Sequence, residues 1–66
     1  MPNIHVELGL GMTNEDQKRE LIGRLTAEAV EVTHIPAQNF TVFISEYPFE
    51  NMGVGGKSIK ELRAAR

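Results

Sequence analysis

The chain has 66 residues, 41% of them apolar, no cysteine, and a formal net charge of −2. That length holds a single domain, residues 1–66, which buries too little surface to be comfortable alone. With no disulfide, and with His5 and His34 as its only histidines, the chain must draw its stability from oligomerisation or from an unusually ideal core. The acidic balance lacks the basic stripe of a nucleic-acid binder. No apolar run approaches the roughly 20 residues that cross a bilayer, and the N-terminus lacks the pattern of a signal peptide. The expectation is a cytoplasmic protein with no nucleic-acid partner, membrane partner or metal.

Residues 3–9 alternate Ile4, Val6 and Leu8 with His5 and Glu7, the period-2 pattern of a half-buried strand ended by Gly9 and Gly11. Thr13 then reads as a helix N-cap, with Asp16 at the capping-box position. Leu21, Ile22, Leu25, Ala29 and Val32 recur at helical spacing and form one apolar face, with Lys18, Arg19, Arg24 and Glu28 mostly off it. Ile35 precedes Pro36 and is pushed out of helical geometry, so the helix should stop near His34, which suits a C-cap. Phe40, Val42 and Ile44 give residues 39–46 one apolar strand face. Strand, helix and strand in this order predict a βαβ unit of class α+β, with two parallel strands and a right-handed crossover. Two strands make too small a sheet to stand alone, so dimerisation should complete a larger one. Residues 47–56 read as loop, and Ser58 to Arg66 as a short helix or a basic tail.

The usual catalytic groups are missing. There is no cysteine nucleophile, and neither Ser45 nor Ser58 sits in a nucleophile-elbow context. Gly55-Gly56-Lys57-Ser58 imitates the end of a phosphate-binding loop, but the glycine required five residues before Gly56 is Asn51. Pro2 is the unusual group. If Met1 is removed, Pro2 becomes a secondary amine, which burial among apolar side chains would turn into a base near neutral pH. Taken alone, a proline leading a strand is unremarkable.

Its context carries more. Met1-Pro2 leads into Ile4-His5-Val6, Glu15-Asp16-Gln17-Lys18 opens the helix, and Leu21-Ile22 lies inside it. Phe40 to Glu46 follow, then Glu50-Asn51-Met52-Gly53-Val54-Gly55-Gly56, with Glu46 at the right spacing upstream. Over nearly its whole length the sequence resembles the short-subunit group of the 4-oxalocrotonate tautomerase family. The resemblance implies a βαβ subunit, a homohexamer built as a trimer of dimers, and a cofactor-free keto–enol or double-bond isomerisation. Pro2 would serve as catalytic base on a small 2-oxo acid, enol or 2-hydroxy-dienoate.

The same resemblance marks departures. Two family arginines that pair with substrate carboxylates fall on Met12 and Thr41, and an aromatic residue falls on Met52. Arginine suits planar carboxylate recognition, so a dicarboxylate substrate and dehalogenation are disfavoured. A monocarboxylate or neutral enol in an apolar, adaptable pocket fits better. Met12, Thr41 and Met52 are substrate-pocket candidates on this reading, though each also suits plain packing. Lys57 is the candidate replacement cation, ahead of Arg19 and Arg24 on the helix's polar side. His5, Phe43 and Tyr47 read as packing or interface residues. The alternative function is a catalytically impaired oligomeric small-molecule binding protein of the same fold.

Overall fold

The computed structural model describes residues 2–65. Strand β1 spans Asn3–Gly9, helix α1 Glu15–Thr33 and strand β2 Thr41–Tyr47. Strands β1 and β2 pair in parallel, in a register that sets Asn3 beside Thr41 and Gly9 beside Tyr47. The alternation of β1 then decides which side chains meet α1. Ile4, Val6 and Leu8, with Val42, Ile44 and Glu46 beside them, share one face of the sheet. Glu46 reaches Lys18 of α1 at 2.8 Å, which places that face under the helix. His5 stacks on Phe43 across the other face, with ring centroids 4.8 Å apart.

The helix starts one residue later than the sequence suggests. Asn14, not Thr13, is the N-cap, and it closes a capping box with Gln17 through reciprocal bonds of 2.8 and 2.9 Å. Both Asn14 and Gln17 carry an amide oxygen long enough to reach the opposing backbone N–H, whereas Asp16 is a shorter partner for Thr13. The helix ends as expected. His34 is left-handed, with φ 61°, and its backbone N–H donates to the Val30 carbonyl at 2.8 Å. The cap is therefore made by the backbone. Lys18 also departs from its expected place off the apolar face, because Glu46 draws its ammonium over the sheet.

Residues 47–56 hold more structure than a loop. A 3₁₀ turn at Phe49–Asn51 leads into strand β3, Gly53–Val54, which pairs antiparallel with strand β4, Lys57–Ser58. Gly55 and Gly56 join them with φ of 62° and 87°, the two positive angles a tight two-residue hairpin demands. This hairpin replaces the strand-to-helix turn of a phosphate-binding loop. Helix α2, Ile59–Ala64, follows directly, capped by a Ser58–Glu61 box. The Ser58-to-Arg66 segment is thus a short helix through Ala64, and Arg66 lies outside the described residues.

One chain does not make a core. No apolar side chain among the described residues is fully buried. The surface is 5150 Å², against about 4,200 Å² for a compact monomer of this mass. The radius of gyration is 15.2 Å, against about 11 Å for a globule of this length. Val32 lies on the apolar stripe of α1 yet is 76% exposed. The helix, about 28 Å long at 1.5 Å per residue, outreaches the seven-residue strands.

Candidate functional site

The parallel register places Pro2 at one end of the sheet. Pro2 is half-buried, and its carbonyl accepts the Thr41 N–H at 3.1 Å, extending the β1–β2 ladder by one bond. That bond fixes where the pyrrolidine ring leaves the sheet. Thr41 is therefore Pro2's immediate neighbour across the ladder. It offers a hydroxyl and a methyl where the family resemblance implies a guanidinium.

Met12, Met52 and Lys57 lie at the other end. Met12 follows β1 in a tight turn, donating its backbone N–H to the Gly9 carbonyl at 3.2 Å, and is 58% exposed. Met52 ends the 3₁₀ turn and accepts the Ile59 N–H at 2.7 Å, which ties α2 to that turn. Lys57 is exposed in β4. From Pro2 to Gly9 the strand rises about 23 Å at 3.3 Å per residue. A single chain thus brings Thr41 to Pro2 and keeps the other three candidates a sheet-length away.

The sequence reading missed what gathers beside Met12. A Cβ at Gly9 would stand 2.8 Å from Met12 Sδ and 3.1 Å from Phe49 Cζ, so only glycine lets the thioether and the ring lie over the sheet end together. Arg63 of α2 completes the group, its guanidinium carbon 4.5 Å from the Phe49 ring centroid. The signal was present but weak. Phe49 stands three residues before Met52, and Arg63 lies in a segment whose helical form depends on the Ser58–Glu61 box.

The basic groups of helix α1 are occupied. Lys18 is paired with Glu46, Arg19 with Glu15 and Asp16, and Arg24 with Glu20. Among the described residues, Lys57, Lys60 and Arg63 form no ion pair within the salt-bridge distance, while Glu61 is engaged by Ser58. Those hydrogen bonds, from the Ser58 backbone first and its side chain second, hold the Glu61 carboxyl below its ordinary pKa. No group of three or more His, Asp or Glu side chains among the described residues converges as a metal site. No described helix is long and apolar enough to cross a membrane. An open groove along α1, lined by Gln17, Glu20, Leu21 and Arg24, includes none of the candidate residues.

Known proteins match this geometry closely. The sequence model for the family of tautomerase enzymes matches residues 2–62. A 2-hydroxymuconate tautomerase of Pseudomonas putida is 40% identical over 62 residues, covering 94% of this chain and 97% of the relative. The crystal structure of TomN, a 4-oxalocrotonate tautomerase homologue in the tomaymycin biosynthetic pathway, superposes with a TM-score of 0.90. It is 36% identical, with 96% of this chain and 95% of that one covered. A heterohexamer 4-oxalocrotonate tautomerase from Chloroflexus aurantiacus gives a TM-score of 0.85 at 32% identity, covering 96% of this chain and all of that one. The match over nearly the whole chain and the shared βαβ fold settle the family: the chain is a member of the tautomerase family of isomerases.

Proposed function

We propose that this chain is a subunit of a cofactor-free homo-oligomeric tautomerase, a hexamer by analogy with its relatives, in which Pro2 is the general base once Met1 is removed. The single observation that carries this reading is the position of Pro2. It heads β1 at an open sheet end, pinned through its carbonyl to Thr41, with its nitrogen at the start of the ladder. A neutral secondary amine there would take a proton alpha to a carbonyl and return it elsewhere on the conjugated system. An exposed amine is mostly protonated near neutral pH, and desolvation disfavours that charged form. A single chain leaves Pro2 only half-buried, so a neighbouring subunit must supply the rest of the apolar surroundings. The unburied apolar surface supports the same assembly, as does the separation of Met12, Met52 and Lys57 from Pro2. A site using both sheet ends must be built from more than one copy.

The substrate class follows from what stands around Pro2 and Met12. Thr41 and Met12 supply no fork of donors for two carboxylates, which favours a monocarboxylate enol over a dicarboxylate dienol. Intact mass and an enol-ketonisation assay test the proposal together. Expected are a chain lacking Met1, turnover of phenylenolpyruvate exceeding that of 2-hydroxymuconate, and a loss of about 10²-fold or more in Pro2→Ala. A processed chain that turns over neither compound would point instead to a small-molecule binding protein of the same fold. Unchanged turnover in Pro2→Ala would remove Pro2 from the chemistry.

A further inference from the structure

Resting on the reading of Pro2 as base, we propose that Arg63, laid over Phe49 beside Met12, is the residue that binds the carboxylate of a monoanionic substrate. It would be presented by one copy of the chain to the Pro2 of another. Four observations converge on it. First, Arg63, though exposed on α2, has an aromatic partner: its guanidinium carbon lies 4.5 Å from the Phe49 ring centroid, a cation–π contact that favours one placement of the side chain. Second, it forms no ion pair with a described carboxylate, whereas every helix α1 cation does. Third, its support is built. The Ser58–Glu61 capping box starts α2, the Ile59 N–H anchors that helix to the Met52 carbonyl, and Gly9 leaves room for the Phe49 ring beneath. Fourth, the group lies with Met12 and Met52 at one end of the sheet, the positions where the sequence lacks an expected arginine and aromatic residue.

Lys57 is the weaker candidate. Like Arg63 it is exposed, but no aromatic partner or hydrogen bond orients its side chain among the described residues. A mobile ammonium binds an anion as a point charge. A stacked guanidinium binds a carboxylate through two parallel N–H···O bonds with less ordering still to be done. Phe49 would in turn wall the apolar part of the ligand, in place of the aromatic residue absent at Met52.

The test uses the full oligomeric protein and a planar monocarboxylate probe. Cinnamate and the uncharged cinnamamide are titrated by calorimetry into wild type, Arg63→Ala, Arg63→Lys, Lys57→Ala and Pro2→Ala, with oligomer mass checked for each. Expected are cinnamate binding weakened at least tenfold in Arg63→Ala, partial retention in Arg63→Lys, and no change in Lys57→Ala. Cinnamamide binding should be equal in wild type and Arg63→Ala. Equal cinnamate affinity in wild type and Arg63→Ala, no cinnamate binding in wild type, or a parallel loss of both probes would each overturn the assignment. Pro2→Ala separates the two readings: it should abolish enol ketonisation while leaving the Arg63-dependent preference for cinnamate over cinnamamide intact.

Discussion

The two ends of the parallel sheet are built differently. At the Pro2 end, one backbone bond from Thr41 holds a half-buried ring, and Val32, in the last turn of α1, is left exposed. At the Gly9 end, local chemistry assembles a unit within one chain: a glycine that admits Phe49 and Met12, a hairpin closed by Gly55 and Gly56, a capped helix and a stacked arginine. The first end carries a candidate reactive group without surroundings. The second carries surroundings without a reactive group. On the proposed assembly, joining them across copies would give each what it lacks and would cover the apolar surface that one chain leaves exposed.

Perturbing either end separates these roles. The largest effect is expected from Pro2→Ala, with turnover down by about 10²-fold or more and the thermal midpoint little changed, measured by enol ketonisation beside a melting curve. A large loss of stability instead would make Pro2 a structural residue. Gly9→Ala should act at the other end by driving Phe49 and Met12 off the sheet. A cost of about 1–3 kcal/mol is expected for such overpacking, read from denaturant midpoints at fixed protein concentration. A neutral result would show that the ring and thioether move aside freely. A smaller effect tests the contact midway between helix and sheet. Lys18 and Glu46 are both partly shielded, at 30% and 23% side-chain exposure, so a double-mutant cycle on Lys18→Met and Glu46→Gln should give a coupling of about 1 kcal/mol. A coupling of zero would reduce the pair to a surface contact that contributes nothing to stability.

The smallest effect concerns pH. The Glu61 carboxylate accepts from Ser58, and its pKa is lowered from the ordinary 4.5. A depressed acid contributes stability that is fully present above its unfolded value and lost as pH falls through its folded value. Acidification below about 4.5 should therefore loosen the start of α2, seen as reduced protection, relative to the intrinsic exchange rate at each pH, of the Ser58 amide that donates to this carboxylate, with Glu61→Gln flattening that dependence. Protection at Ser58 that does not respond to acid would disconnect the box from the helix.

Much of this was legible in the residues. The Ile4-Val6-Leu8 alternation and the Leu21-Leu25-Ala29 stripe follow from two simple periods, and Pro36 marks the helix end. The N-cap was misread by one residue because Thr13 and Asn14 are both capping types, and only geometry shows that Gln17 reaches back to Asn14. The hairpin was hidden because each strand is two residues long, too short for any period to show. The split of the candidate residues between two ends of the sheet is a property of parallel register. Met12 follows the first strand and Thr41 opens the second, so positions grouped by family resemblance lie far apart within one chain. The Phe49–Arg63 stack depends on a close approach over Gly9, which no pattern of residue types reveals.

The most direct test of a site shared between copies is complementation. Pro2→Ala and Phe49→Ala/Arg63→Ala chains are purified, unfolded, mixed in equal amounts and refolded together, and ketonisation is compared with each variant refolded alone. The expected result is recovery well above the sum of the separate activities, since random mixing rebuilds about a quarter of the sites with an intact Pro2 facing an intact Phe49–Arg63 unit. Mixed oligomers, verified by mass, that show no activity beyond that sum would contradict a site assembled from the two ends of different chains.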